Sequence, residues 1–255
     1  MSDRKFVFPR WANYLLPLAI LGGLGAGPYA VVLWTYGASA DTLNVGYMPE
    51  QPVPYSHEVH VGQLGMDCRY CHTTVDTAAF AAIPPTQTCI NCHAPGTDPV
   101  TGEATTLSGV WQGSDKLPPV WESFATGDPI EWVKVHDLAD YAYFNHAAHV
   151  NKGVSCVSCH GRVDKMEVVY QAKNLSMGWC LECHREPEKY LRPPEHVYDL
   201  AWSPTSDPDA IAAGYDDPEN PRHVEQAQLL VGERQKKLME IHSVTYMTAC
   251  STCHR

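Results

Sequence analysis

The ten cysteines of this sequence of 255 residues all belong to one short motif, C-x-x-C-H, which occurs five times. Two thiols at this spacing can each form a thioether with a vinyl group of haem, and the adjacent histidine is then placed to ligate the iron. The sequence therefore predicts five covalently bound haem c groups, each holding one iron. The copies, called motifs 1 to 5 in chain order, are Cys68-Cys71-His72, Cys89-Cys92-His93, Cys156-Cys159-His160, Cys180-Cys183-His184 and Cys250-Cys253-His254.

Two other uses of paired cysteines explain the pattern less well. A structural zinc site takes four protein ligands, so C-x-x-C units would have to meet in pairs, and five units cannot pair evenly. A disulfide framework is typical of exported proteins. Neither explains why a histidine follows every second cysteine.

The remaining histidines include a repeated pair that precedes two of the motifs. Residues 55–72 have the sequence YSHEVHVGQLGMDCRYCH, and residues 144–160 have the sequence FNHAAHVNKGVSCVSCH. On a helix, residues three apart share a face at different heights, so each pair is placed to serve two neighbouring haems. The repeat predicts four distal iron ligands, which are His57, His60, His146 and His149.

The elements that carry these motifs must be short. The chain has 20 prolines and 18 glycines, which favours loops. Five haems leave about 43 residues each after residue 40, too few for an ordinary core, so the porphyrins must supply much of the buried apolar surface. We predict a mainly α and irregular fold, with short helices and loops wrapped on five haems and little or no sheet. The pattern favours helices over 223–242, with Leu229, Leu230, Leu238 and Ile241 on one face, and near 130–141.

The N-terminal segment indicates a membrane anchor. No charged residue occurs from Trp11 to Ala40, and about twenty apolar residues span a bilayer core. Arg4, Lys5 and Arg10 precede this run, so the positive-inside rule puts the N-terminus in the cytoplasm and the haem domain on the periplasmic face of a bacterial plasma membrane. A cleaved signal peptide ending at residues 38–40 is the alternative, but the run is longer than an ordinary signal sequence.

Charge and motif spacing complete the outline. The formal net charge of −11 argues against a nucleic-acid partner, which requires a basic surface. We divide the chain into a cytoplasmic N-terminus and anchor, a first dihaem unit, an insertion, a second dihaem unit, and a proline-rich loop with a helix and the fifth haem site. The corresponding ranges are 1–40, 41–93, 94–142, 143–186 and 187–255.

Residues 55–93 and 143–184 resemble the class III cytochromes of the c3 and c7 type. In that family the first histidine of an F-x-H-x-x-H segment ligates the haem that follows it, and the second ligates another haem. The resemblance implies that His57 serves motif 1 and His146 serves motif 3. His60 and His149 would then serve motifs 2 and 4.

The fifth haem has no such histidine. In the c7 arrangement the last haem takes a histidine just before the preceding motif, where this chain has Met177 instead. The resemblance therefore makes Met177 the leading distal ligand for motif 5, and methionine ligation would raise the potential of that haem. A methionine that only packs against the porphyrin is the ordinary alternative. His242 and His136 are the other candidate ligands.

The anchor, the five motifs and the segments FNHAAHV and MGWCLECHR together resemble the pentahaem cytochrome subunit of alternative complex III, a quinol:electron acceptor oxidoreductase. That resemblance implies an electron-transfer subunit that is no enzyme on its own and has no catalytic residues. Its partners would be an iron–sulfur/molybdopterin-like subunit and quinol-oxidising membrane subunits of a respiratory complex. A periplasmic cytochrome c or a terminal oxidase would accept the electrons.

Two alternatives belong to other functional classes. A stand-alone membrane-anchored multihaem quinol dehydrogenase also combines one anchor with several haems. A multihaem reductase needs a haem with an open distal position. The sequence offers at least five distal candidates for five irons, which favours electron transfer over catalysis.

Overall fold

The computed structural model describes residues 10–37, 44–98, 100–105 and 109–254. The chain divides into two compact units, Met1–Val45 and Gly46–Arg255. The basic residues Arg4 and Lys5 and the alternative cleavage site at 38–40 lie outside the described residues. The predicted segments 1–40, 41–93, 94–142 and 187–255 also each contain residues outside the described ranges, namely 1–9, 38–43, 99, 106–108 and 255. The membrane orientation and the domain boundaries therefore stay predictions.

The described part of the first unit is one apolar helix. A 3₁₀ turn, Arg10–Tyr14, leads into helix α1, Leu15–Val32, which ends in a π turn, Leu33–Gly37. Its apolar side chains are exposed to the surroundings rather than packed against protein. The span Trp11–Gly37 has 27 residues, about 40 Å at the helical rise. By length and composition it is sufficient to cross a membrane.

The second unit consists of short helices joined by irregular segments, as predicted. Its only extended pairings within the described residues are two isolated bridges, between Thr97 and Ala104 and between Val154 and Leu191. Its α-helices are α2 (Cys68–Cys71), α3 (Thr86–His93), α4 (Pro118–Thr126), α5 (His146–Val150), α6 (Val157–His160), α7 (Met177–Arg185), α8 (Pro208–Ala212), α9 (Pro221–Ile241) and α10 (Cys250–Cys253). A π turn covers Glu58–Gln63, and 3₁₀ turns cover Val163–Lys165, Pro187–Tyr190, Pro194–His196 and Pro204–Ser206.

The helix predicted over 223–242 is confirmed, but its buried face differs from the predicted one. Helix α9 begins at Pro221, and the Asn220 side chain caps it by accepting a hydrogen bond from Arg222 N. The buried residues are Ala227, Val231 and Leu238, whereas Leu229, Leu230 and Ile241 are exposed. The prediction of the buried face relied on the large leucine and isoleucine side chains, but the face that packs against the protein includes the small Ala227.

The short helix predicted near 130–141 is wrong. The helix of the insertion is α4, which starts with two prolines, residues that favour a first helical turn. It ends at Gly127, whose φ of 81° suits a left-handed cap. After it, the Gln51 side chain donates to Val133 O at 2.8 Å and accepts from Val133 N at 2.9 Å. The Gln51 side chain therefore takes both backbone hydrogen bonds of Val133, which lies in an irregular segment rather than in a helix.

The hydrophobic core is small. One cluster packs α3 against α4 through Val53, Ile90, Ala94, Leu117 and Val120. Across the described residues only fifteen hydrophobic side chains are buried. A chain of this length ordinarily buries far more apolar surface, so the packing favours a fold completed by apolar groups other than its own side chains.

We expect Arg234 to be essential for stability in the C-terminal region. The Asp207 side chain is fully buried and accepts from Arg234 Nη2 at 2.7 Å, while Asp209 pairs with the same guanidinium. Replacing Arg234 with alanine leaves the Asp207 carboxylate buried without its counter-ion, so unfolding should become easier by about 3 kcal/mol. Thermal or chemical denaturation followed by circular dichroism measures this, with the exposed Lys237→Ala as control. Equal stability of the two variants would contradict the prediction.

Candidate functional site

The structure brings each predicted distal histidine next to a histidine of a C-x-x-C-H motif. The ring centres of His60 and His93 are 6.1 Å apart, and those of His149 and His184 are also 6.1 Å apart. His146 and His160 have nearly parallel rings 6.4 Å apart. His57 is also near His72: burial is the largest cause of the lowered pKa of His57, and His72 is the next.

These separations fit two imidazoles on opposite sides of one iron. Two metal–nitrogen bonds of about 2 Å each account for about 4 Å between the ring centres, and the two ring radii account for the rest. Within the described ranges, no three His, Cys, Asp or Glu side chains converge to hold a metal ion by themselves. At motifs 1 to 4 the chain thus offers two histidine ligands per site, which fits a haem, whose macrocycle would supply the other four.

Backbone carbonyls orient four of the motif histidines. Because a carbonyl oxygen only accepts, each Nδ1 must carry the proton, which leaves Nε2 as the free ligand atom. His72 donates to Ala82 O at 2.8 Å, and His93 donates to Val110 O at 3.2 Å. The other two bonds run from His184 to Met247 O at 3.1 Å and from His254 to Tyr141 O at 3.0 Å.

Backbone carbonyls also orient three of the four distal histidines. Nδ1 of His60 donates to Ser56 O and Nδ1 of His149 donates to Asn145 O, both at 2.7 Å and both four residues back. His146 donates to Ala79 O at 2.9 Å. His57 differs, because its buried Nδ1 has no hydrogen-bond partner.

An aromatic residue positions each H-x-x-H pair, a role that the sequence analysis did not assign. Tyr55 stacks on His60 at 4.4 Å and meets His57 edge-on at 4.9 Å. Phe144 stacks on His149 at 4.4 Å and meets its other histidine edge-on at 4.8 Å. The near-identical geometry makes the aromatic position part of the repeat. The presence of an aromatic residue two positions before both H-x-x-H pairs could have predicted this role from the sequence.

Burial keeps the central histidines neutral, the form that binds a metal. Desolvation, followed by the neighbours His72 and His60, lowers the pKa of His57 to about 4. Desolvation also lowers the pKa of His160 to about 3, with contributions from His136 and His146. At neutral pH both rings therefore carry an unprotonated nitrogen for a ligand bond.

The cysteines sit on short helical segments that present both thiols of a motif together. Helix α2 is capped by Asp67, which accepts from Arg69 N at 2.8 Å. Helix α7 is capped by Ser176, which accepts from Trp179 N at 3.3 Å. All ten cysteines, each within the described residues, are free, so both thiols of every motif are available for thioether bonds.

The candidates for the fifth distal position lie in different places. Met177 is the first residue of α7, one turn before Cys180. Burial raises the pKa of Cys180, and the nearby Cys253 of motif 5 raises it further. His242 follows α9, where its carbonyl accepts from the Lys152 ammonium. His136 contacts a different motif: its Nε2 is 3.3 Å from Nδ1 of His160.

His136 thus lies behind a motif histidine where the other motifs have a carbonyl. Burial lowers the pKa of His136, which favours a neutral ring, and the tautomer with its proton on Nδ1 would let Nε2 accept from His160 Nδ1. The ring centres are 4.3 Å apart and the rings are nearly perpendicular. This contact favours a positioning role at motif 3 over ligation of the fifth iron.

We expect the His136→Leu substitution to raise the reduction potential of the motif 3 haem. Losing the acceptor makes His160 a weaker electron donor, which destabilises the ferric state. The expected shift is up to about 60 mV, a tenfold change in the one-electron equilibrium. His136→Gln, which keeps an acceptor oxygen, should restore most of the original value. Potentiometric titration followed by electron paramagnetic resonance measures both, and equal potentials in the two variants would contradict the positioning role.

Comparison with known proteins supports the class of protein at a coarse level. No protein-family model matches the chain. The multihaem cytochrome c subunit of menaquinone reductase from Nitratidesulfovibrio vulgaris (strain Hildenborough) is 31% identical over 141 residues, which cover 53% of this chain. The matched region spans 59% of that relative's length. The similarity supports a multihaem cytochrome c and does not test the resemblance to alternative complex III.

Proposed function

We propose that this chain is a membrane-anchored multihaem cytochrome c that carries electrons for a quinone-linked respiratory complex. The observation that carries the proposal is the pairing of a distal with a motif histidine at motifs 1 to 4. If haem is bound, two histidine ligands at each of these four irons would leave no free position for a substrate there, which favours electron transfer over catalysis. The apolar span Trp11–Gly37 supports attachment to a membrane.

The chain's own contribution is to hold ligands in place and keep water away. Haem, when bound through the ten cysteines, supplies the one-electron chemistry. The four pairs would ligate as His57 with His72, His60 with His93, His146 with His160 and His149 with His184. Carbonyl acceptors on Nδ1 make the imidazoles better donors. Because these ligands are fixed before any electron arrives, the sites need little rearrangement when their charge changes.

The finer assignment is to the pentahaem subunit of alternative complex III. It rests on the anchor, the layout of two, two and one motifs, and the segments FNHAAHV and MGWCLECHR. The partners would then be an iron–sulfur/molybdopterin-like subunit and quinol-oxidising membrane subunits, with a periplasmic cytochrome c or terminal oxidase as acceptor. The relative from Nitratidesulfovibrio vulgaris is named for a menaquinone reductase, so the direction of quinone chemistry must be measured.

Purification of the full chain from its native membranes in mild detergent tests this function. We expect five covalently bound haems per chain by pyridine haemochrome assay, co-purifying membrane subunits, and quinol oxidation that requires those subunits. Quinol oxidation by the isolated chain would identify a stand-alone dehydrogenase instead. A high-spin, five-coordinate haem in the untreated protein would favour a reductase. Menaquinone reduction without quinol oxidation would exclude the alternative complex III assignment.

A further inference from the structure

The spatial order of the five motifs differs from their order in the chain, beginning with motifs 1 and 2. These two are direct neighbours. The Asn91 side chain of motif 2 donates to the Tyr70 hydroxyl of motif 1 at 3.3 Å. Tyr55 also contacts both distal histidines of this pair, His57 and His60.

Motif 3 adjoins motif 1. Both the backbone N–H and the Nδ1–H of His146 donate to Ala79 O, in the loop that follows motif 1, at 3.0 and 2.9 Å. The next residue, Ala147, donates through its backbone N–H to Ala78 O at 3.1 Å, and the Asn151 side chain donates to Asp76 O at 2.8 Å. The chain therefore returns from motif 2 to place motif 3 beside the loop that follows motif 1.

Motifs 3, 4 and 5 then follow one another in space. Phe144 contacts the distal histidines of motifs 3 and 4, which are His146 and His149. Motif 4 meets the segment before motif 5 where His184 donates to Met247 O at 3.1 Å. Each of these contacts joins consecutive motifs.

Exposure of the cysteines marks the two motifs at the ends of this series. Among the ten cysteines, Cys92 of motif 2 and Cys250 of motif 5 are exposed, and the other eight are half-buried. Contacts between motifs and solvent exposure are separate observations. Both identify motifs 2 and 5 as the terminal ones.

We propose that the five motifs form one row in the order 2, 1, 3, 4, 5, and that the chain exchanges electrons with its partners at motifs 2 and 5. This inference rests on the proposed function, because it requires haem at each motif. For each electron taken from a one-electron donor at one end, one electron passes to a one-electron acceptor at the other, and no bond is made or broken. Motifs 1, 3 and 4 would transfer electrons only to their neighbours in the row.

The positions of the irons test the order directly. Anomalous diffraction at the iron edge, or an electron cryomicroscopy map of the full chain, gives the iron-to-iron distances in the holoprotein. We expect the nearest pairs to be motifs 2 and 1, 1 and 3, 3 and 4, and 4 and 5. A nearest pair formed by motifs 2 and 3 would overturn the row while leaving haem binding intact. Fewer than five irons would instead contradict the proposed function.

Reaction with a small anionic oxidant, hexacyanoferrate(III), tests the ends. Asn91→Lys at motif 2 and Ser251→Lys at motif 5 each add one positive charge beside an exposed cysteine. Glu182→Gln at motif 4 makes the same change of net charge at an interior motif and is the matched control. We expect stopped-flow oxidation at low salt to accelerate about threefold in each lysine variant and to lose this gain at high salt. An equal acceleration in Glu182→Gln, or none at either end, would overturn the assignment.

Discussion

Replacing His146 with alanine is expected to convert one of the five haems from a low-spin to a high-spin state. The thioethers of Cys156 and Cys159 should still hold that haem, and His160 should still ligate its iron. Only the distal position would open. The variant should bind carbon monoxide when reduced, and its electron paramagnetic resonance spectrum should gain one high-spin signal per chain.

The geometry makes this the site where the effect should be largest. The rings of His146 and His160 are within 9° of parallel and 6.4 Å apart, and Ala79 O fixes the His146 proton on Nδ1. His136 is hydrogen-bonded to the motif side of this pair, at His160, and is therefore not placed to replace His146. Because motif 3 would lie in the middle of the row, we expect end-to-end electron transfer to fall by more than the 10- to 100-fold typical of losing an outer-shell partner.

A histidine outside the ligand pairs supplies the control. His196 stacks on Trp202 with ring centres 5.6 Å apart and lies 3.8 Å from the Asp199 carboxylate. His196→Ala should leave all haems low-spin and should not bind carbon monoxide. If His146→Ala also stays fully low-spin, the assignment of His146 as a distal ligand is wrong.

Much of this arrangement could be predicted from the sequence because haem attachment requires a local motif. C-x-x-C-H specifies two covalent bonds and one iron ligand within five residues, so the attachment sites could be predicted without knowing the fold. The H-x-x-H repeat predicted which histidines would approach the motif histidines, and the four pairings follow the family resemblance. The predominance of short helices followed from the small number of residues for each haem.

Contacts between distant residues could not be predicted in the same way. The carbonyl acceptors of His184 and His254 lie 63 and 113 residues away in the chain, and no local pattern marks a carbonyl. His136 is 24 residues from the ring it contacts. The return of the chain that places motif 3 beside motif 1 depends on tertiary packing, so motif number gave no indication of spatial order.

The Met177→His substitution is expected to lower the reduction potential of the motif 5 haem. Methionine is a weaker electron donor than histidine and stabilises the ferrous state, so the exchange should lower the potential by an amount on the order of 0.1 V, within the range of about 0.8 V that axial ligands set. The weak long-wavelength absorption band of a methionine–iron bond should disappear. The signals of the other haems should change little.

Two features of the structure favour Met177 as this ligand. Its side chain is 68% exposed, so the protein core does not hold it and it is free to contact a haem. It lies one turn from Cys180 on α7, and that cysteine is a neighbour of Cys253 in motif 5. The N-terminal end of α7 therefore lies near the region where the fifth haem would attach.

Met247 provides a matched control because it lies three residues before motif 5 and contacts His184 through its backbone carbonyl. Met247→Leu keeps that carbonyl and should keep both the potential and the methionine–iron band, whereas Met177→Leu should remove the band. The reverse result would make Met247 the ligand. If neither leucine variant changes the band or the potential, His242→Ala should open the fifth site, since His242 is then the remaining candidate. Each outcome assigns the distal position to a different side chain, and only loss of the band in Met177→Leu agrees with methionine ligation from α7.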